Sequence, residues 1–130
     1  MEVVAMEELL RAHGCTLTAQ RRALLRHLHG NVDHPSAGEI FDAVTRDFPI
    51  TSRATVYNTL ALLEEVGAVR TVCGHAGETR YDPNLAPHHH LICTVCGRLE
   101  DVPAESVVLL RDGRPAEGEV RFSGRCTRCG

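Results

Sequence analysis

The sequence predicts an α+β chain, with an N-terminal winged helix-turn-helix domain followed by a small α/β domain built around four cysteines. Three observations carry that expectation. The first half holds four stretches of helical periodicity with caps and stops, then two alternating runs that read as a hairpin. A break at Asn84-Leu85-Ala86-Pro87 reads as a hinge. Beyond it, two Cys-x-x-Cys pairs, Cys93/Cys96 and Cys126/Cys129, frame short strand-like segments. The expected domains are residues 1–83 and 84–130.

Taken in order, residues 4–12 place Leu9 and Leu10 on a short amphipathic helix that Gly14 ends. Thr18 caps a second helix, AQRRALLRHLH, with Leu24, Leu25 and Leu28 on one side and Gly30 as its stop. In HPSAGEIFDAVTRDFP, Ser36 and Glu39 fit a capping box, Ile40, Phe41 and Val44 follow at helical spacing, and Pro49 closes the segment. In TSRATVYNTLALLEEVG, Ser52 caps and Val56, Leu60 and Leu63 recur on one face. That periodicity turns Arg53, Thr55, Tyr57 and Asn58 largely outward. VRTV and TRYD, separated by CGHAGE, form the wing hairpin; an unrelated helical bundle with a hairpin is the competing reading. In the second domain HLIC, RLEDV and EVRFSG read as strands around a helix near residues 104–111.

Composition narrows the function. With 130 residues and 43% hydrophobic content the chain can build real cores, which at 4% aromatic must rest on Leu, Val and Ala. No apolar run reaches membrane-spanning length, and MEVVAMEELL carries acids where a secretory signal carries positive charge, so a cytoplasmic protein is expected. A net charge of -3 argues against nonspecific coating of nucleic acid, while leaving room for a specific reader with a local positive face. All fourteen basic residues are arginine.

In a reducing compartment, six cysteines without an export signal read as thiols or metal ligands. Two knuckles supply four thiolates in the tetrahedral arrangement zinc prefers and leave no open position for water. Cys93, Cys96, Cys126 and Cys129 are therefore expected to hold a structural zinc that fastens the chain end to its domain. The histidines of HHHLICTVCG are a separate matter. Alternation on a strand puts His88 and His90 on one face and His89 on the other. Asp82, Asp101 and His34 are nearby candidates, and such a set favours Fe(II), Mn(II) or Zn(II) over Mg or Ca. On spacing alone, a solvated strand start with a locally bonded His34 is an equal alternative.

No catalytic constellation appears. The deaminase pattern lacks its His-x-Glu, and no phosphate-binding loop, nucleophile elbow or dinucleotide fingerprint is present, so the chain reads as no enzyme. A zinc-ribbon interaction module would explain the cysteines but leave the capped fourth helix and the histidines unused.

HPSAGEIF, SRATVYNTLALLEEVG, TRYDPN and HHHLICTVCGRLEDV, in that order, resemble the ferric uptake regulator family of metal-dependent bacterial repressors, over roughly residues 8–129. The resemblance implies a homodimer with two winged-helix DNA-binding domains, a dimerisation domain carrying the four-cysteine zinc, and a hinge metal that closes the dimer on an inverted-repeat operator. Carried over by position, the hinge ligands are His34, Asp82, His88, His90 and Asp101, and Tyr57, Arg53 and Asn58 fall on the reading face. Asp82 stands where iron-sensing members usually carry Glu, which resembles the peroxide-sensing branch with Fe(II) or Mn(II) as regulatory metal. Iron- or zinc-sensing uptake repressors are the alternatives. Two departures stand out: only 29 residues separate Cys96 from Cys126, and Gly118 occupies a place where many members put another metal-binding His. A third metal site is thereby in doubt, with His89 its remaining candidate. Cys15 and Cys73 are expected to be at least partly buried thiols.

Overall fold

Helix α1 (Val3–Ala12) buries Met6 and Leu10 and ends where Gly14, at φ +78°, turns the chain so that the Cys15 N–H reaches the Leu10 carbonyl at 2.9 Å. That positive φ is one an ordinary residue adopts at a cost, which is why glycine stands there. Helix α2 (Ala19–Leu28) is capped by the Thr18 hydroxyl, which accepts the Arg21 N–H at 3.2 Å. Helix α3 (Ala37–Asp47) starts at Ser36, whose hydroxyl oxygen accepts the Glu39 N–H at 3.2 Å. Helix α4 (Arg53–Glu65) starts at Ser52 in the same way and ends at Gly67, with the Ala68 N–H on the Leu63 carbonyl at 2.8 Å.

The apolar faces of these helices meet in one core of Met6, Leu10, Leu24, Leu25, Leu28, Ile40, Val44, Val56, Leu60 and Leu63, extended by Ala68 and Val69. Each fully buried large side chain there contributes on the order of 1.5–3 kcal/mol. Strands β1 (Arg70–Cys73) and β2 (Thr79–Asp82) pair antiparallel, Arg70 opposite Asp82, and complete the winged helix.

The second unit centres on β3 (His88–Cys93), flanked by antiparallel β4 (Leu99–Pro103) and by β7 (Arg121–Gly124), which runs parallel to it. The expected helix near 104–111 does not form. Ala104–Ser106 makes one 3-10 turn, and β5 (Leu110–Arg111) and β6 (Arg114–Pro115) form a small hairpin. The reason lies in Asp112-Gly113, both at positive φ, a pair that fits a tight two-residue hairpin turn, preceded by the β-branched Val107 and Val108.

The structure is a computed structural model describing all residues, Met1–Gly130. They divide into two units, Met1–Cys73 with Gly77–Leu85, and Gly74–Ala76 with Ala86–Gly130. No helix is long and apolar enough to cross a membrane.

Candidate metal centres and nucleic-acid interface

Cys93 ends β3 and Cys96 follows in the turn to β4, where Gly97 at φ +76° lets the chain reverse. Cys126 and Cys129 lie just past β7. Because β7 pairs with β3, Cys93 opposite Gly124, the two knuckles are brought side by side. One sulfur from each of the four cysteines falls in a single group with every pair within 4.8 Å. Cys96 Sγ and Cys126 Sγ are 3.7 Å apart. Metal–sulfur bonds of about 2.3 Å in a tetrahedron put sulfurs about 3.8 Å apart, so the donor set fits one zinc-sized ion with no position left open.

The backbone prepares this site for thiolates. Cys93 Sγ accepts N–H groups from Cys96, Cys126 and Val95, each at 3.4 Å. The first two of these chiefly pull the Cys93 thiol down to about 6. Cys129, hydrogen-bonded among the other three sulfurs with Cys126 foremost, is pushed up to about 12. Four thiols this close cannot all ionise by themselves; a divalent cation removes the conflict.

In the first unit, His34 and Asp82 are both buried, with His34 Nε2 3.6 Å from Asp82 Oδ2. Their approach is set by the backbone. His34 has φ +52°, strained for a non-glycine residue. It is held there from β2: Tyr81 N–H donates to the Pro35 carbonyl at 2.9 Å, and the Arg80 guanidinium donates to the His34 carbonyl at 3.3 Å and to Glu39 at 2.8 Å. Asp82 Oδ1 accepts the Asn84 N–H at 2.9 Å, which fixes the carboxylate at the start of the hinge.

In the second unit, His88 and His90 share a face of β3, and Asp101 sits opposite His90 on β4. His88 Nδ1 is 2.6 Å from the Ala86 carbonyl and His90 Nδ1 2.8 Å from Glu119 Oε1. Both partners only accept, so in each neutral ring Nδ1 carries the hydrogen and Nε2 presents its lone pair. The two Nε2 atoms lie 3.1 Å apart, with Asp101 Oδ1 at 3.3 and 3.5 Å from them. Three electron-rich atoms converging without a hydrogen among them repel unless a proton or a cation joins them. This donor set, two imidazoles and a carboxylate, suits a borderline divalent metal.

His89 faces the other way and is buried, but its Nδ1 accepts the Val120 N–H at 2.9 Å. It thus serves the β3–β7 connection. Cys15 is half-buried as expected; Cys73 is exposed, because the alternation along β1 places it on the outward side with Thr71.

On α4, Arg53, Tyr57 and Asn58 are exposed and Thr55 half-buried. The Arg53 guanidinium stacks 4.3 Å above the Phe41 ring, and Thr55 Oγ1 is 2.9 Å from Ser52 Oγ. Tyr57 is 47% exposed and lines a shallow surface pocket with Ala37 and Tyr81. Sequence reasoning missed Glu119, Arg80 and Glu100, the last of which accepts the Thr127 N–H beside the second knuckle at 3.0 Å. All three act on positions far away in the chain, where spacing carries no signal.

The ferric uptake regulator family profile matches residues 12–121. Over 92 residues the chain is 40% identical to the peroxide-responsive repressor PerR of Staphylococcus aureus (strain USA300), covering 71% of this chain and 62% of that relative. It therefore spans less than two thirds of the length of the curated relatives it matches. A zinc-bound manganese uptake regulator superposes with a TM-score of 0.75 at 26% identity, covering 93% of this chain and 98% of that one. The Campylobacter jejuni peroxide stress regulator superposes with a TM-score of 0.65 at 26% identity, covering 99% and 100%.

Proposed function

Because the chain belongs to the ferric uptake regulator family, we propose that it is a metal-dependent transcriptional repressor, acting in the cytoplasm as a homodimer on an inverted-repeat DNA operator. The observation that carries this reading is the convergence of His88 Nε2, His90 Nε2 and Asp101 Oδ1, a preformed half of a metal site in the zinc-bearing unit. His34 and Asp82, paired at the end of the winged-helix unit, supply the other half. Binding of a divalent ion by these ligands would be coupled to the spacing of two reading helices across successive major grooves. Arg53, Thr55, Tyr57 and Asn58 are assigned to DNA contact, and Cys93, Cys96, Cys126 and Cys129 to structural zinc.

In this reading the regulatory ion is Fe(II) or Mn(II), and the signal is peroxide. Fe(II), if bound there, would let peroxide react at the site; the imidazole of His34 or His88 would supply the two electrons, a ring carbon taking one peroxide oxygen while the other leaves as water. Asp82, a short carboxylate, and the similarity to peroxide-responsive relatives support this branch. A manganese-, iron- or zinc-responsive uptake repressor is the second reading, supported by the likeness to the manganese uptake regulator.

A gel shift with operator-bearing DNA, with and without divalent metal, tests the proposal. Retardation that requires metal supports it. Metal-independent binding would overturn the metal dependence, and no binding by a protein that retains its zinc would reduce the chain to a zinc-ribbon interaction module.

A further inference from the structure

Glu119 lies just before β7, 29 positions from His90, and its carboxylate stands 2.8 Å from His90 Nδ1. The contact is one of three that tie the segment Glu119-Val120 to the neighbouring histidines: the His90 N–H donates to the Val120 carbonyl at 3.1 Å, and the Val120 N–H donates to His89 Nδ1 at 2.9 Å. His90 is fully buried, and the Glu119 side chain is about one-third exposed. We propose that Glu119 is a positioning residue for the metal site, its carboxylate holding His90 in the tautomer and orientation that aim Nε2 at the ion. This rests on the metal-sensing reading given above.

The chemistry is that of a carboxylate–histidine–metal triad. A carboxylate accepting Nδ1–H fixes which nitrogen is free, prevents ring rotation and makes Nε2 a stronger donor. His88 has its Nδ1 on the neutral Ala86 carbonyl, so the two strand ligands differ: His90 is the more electron-rich. The clasp also has a structural direction. β7 continues from Val120 towards Gly124, whose carbonyl accepts the Thr94 N–H at 2.8 Å beside the first knuckle, and then to Cys126. The strand that carries the second zinc knuckle is thus the strand whose entry is held by the metal-facing histidine.

The test uses the full, zinc-loaded chain and Co(II) or Mn(II) as the probe, with affinity read by competition against a chelator and Co(II) coordination read by its visible absorption. Glu119→Ala is expected to weaken binding about 10–100-fold, the usual loss for such a partner. Glu119→Gln keeps an acceptor for Nδ1–H without the charge and is expected to fall between Ala and the parent. Zinc content and thermal unfolding are expected to stay at the parent's level in both. A second readout needs no added metal. Nitrogen shifts of the His90 ring in the zinc-only protein are expected to report the Nδ1–H form in the parent and a mixture of tautomers in Glu119→Ala. An affinity for Glu119→Ala within about twofold of the parent, or a His90 tautomer unmoved by the substitution, overturns the proposal. A parent that takes up no metal beyond its zinc overturns the metal-sensing reading itself, and this inference with it, whereas normal uptake by both parent and Glu119→Ala removes only Glu119's role.

Discussion

Cys96 Sγ and Cys126 Sγ, 30 positions apart in the chain, lie 3.7 Å from each other. The parallel pairing of β7 with β3 closes that distance and gathers all four sulfurs within 4.8 Å of one another. That unit has few buried apolar side chains, Leu99 being the principal one besides the cysteines themselves. Metal ligation by the four cysteines is therefore expected to supply much of its stability.

Cys126→Ser is expected to abolish stoichiometric zinc and unfold the second unit while leaving the winged helix folded. Structural zinc in small domains is worth on the order of 10–16 kcal/mol in apparent binding energy, far more than this apolar core supplies. Zinc analysis with amide spectra of both units checks it; a zinc-free protein with an intact second unit would refute the assignment.

The second knuckle has its own latch. Glu100 on β4 accepts the Thr127 N–H at 3.0 Å and the Thr127 hydroxyl, and pairs with Arg98 at 3.0 Å. These contacts, the Thr127 hydroxyl foremost, lower the Glu100 pKa from 4.5. A depressed carboxylate pKa contributes stability that is present above the unfolded value and lost as pH falls through the folded one. Glu100→Gln should therefore lose zinc to a chelator faster than the parent at neutral pH, with the difference shrinking as pH falls through the carboxylate range. Rates that differ equally at neutral and acidic pH would contradict this account.

Arg80 joins β2 to α3 through Glu39 and to the strained His34 through its carbonyl. Arg80→Ala should cost about 1–3 kcal/mol of winged-helix stability, as expected for charge-assisted hydrogen bonds. Regulatory-metal affinity should fall with it, because His34 then relaxes from φ +52°. Chemical denaturation and Mn(II) titration of the same variant measure the two effects.

Much of this could be read in the sequence, for physical reasons that differ by element. Helix starts at Thr18, Ser36 and Ser52 are local chemistry, since a hydroxyl satisfies an N–H three residues on. The common face of His88 and His90 follows from strand alternation. The region 104–111 went the other way because four aliphatic residues in a row, Val107-Val108-Leu109-Leu110, suit a buried helix or a strand equally, and the Asp112-Gly113 turn decided between them. The parallel β7, the strain at His34 and the reach of Glu119 to His90 are products of tertiary closure. Nothing in the spacing of those residues announces them.

Tyr57→Ala on α4 should weaken operator binding by about 1–3 kcal/mol, the value of one base-reading contact, without altering metal content. Tyr57 is exposed and its hydroxyl-bearing ring leaves the core untouched, so the variant should fold normally. Equal operator affinity for parent and variant would remove α4's Tyr57 from the reading face.

The proposed signal is the most demanding prediction. If the two half-sites take Fe(II), peroxide should be reduced there and the oxygen delivered to an adjacent imidazole. His34 and His88 are both buried, shielded from oxidants in bulk solvent, so oxidation confined to them is expected to originate at a metal that they ligate. Replacing a ring C–H by an oxygenated carbon removes the electron richness on which ligation depends; metal is released, and because the new bond is covalent, rinsing out peroxide does not restore binding. Protein loaded with Fe(II) or Mn(II) in parallel, exposed to peroxide and digested, should show one added oxygen on His34 or His88 in the iron sample alone, with loss of DNA retardation in step. Exposed Cys73 serves as the internal control, since a free oxidant would reach it first. Intact histidines and unchanged DNA binding in the iron-loaded protein would turn the reading to a metal-uptake repressor, and oxidation equal in iron and manganese samples would show that the metal does not direct the chemistry.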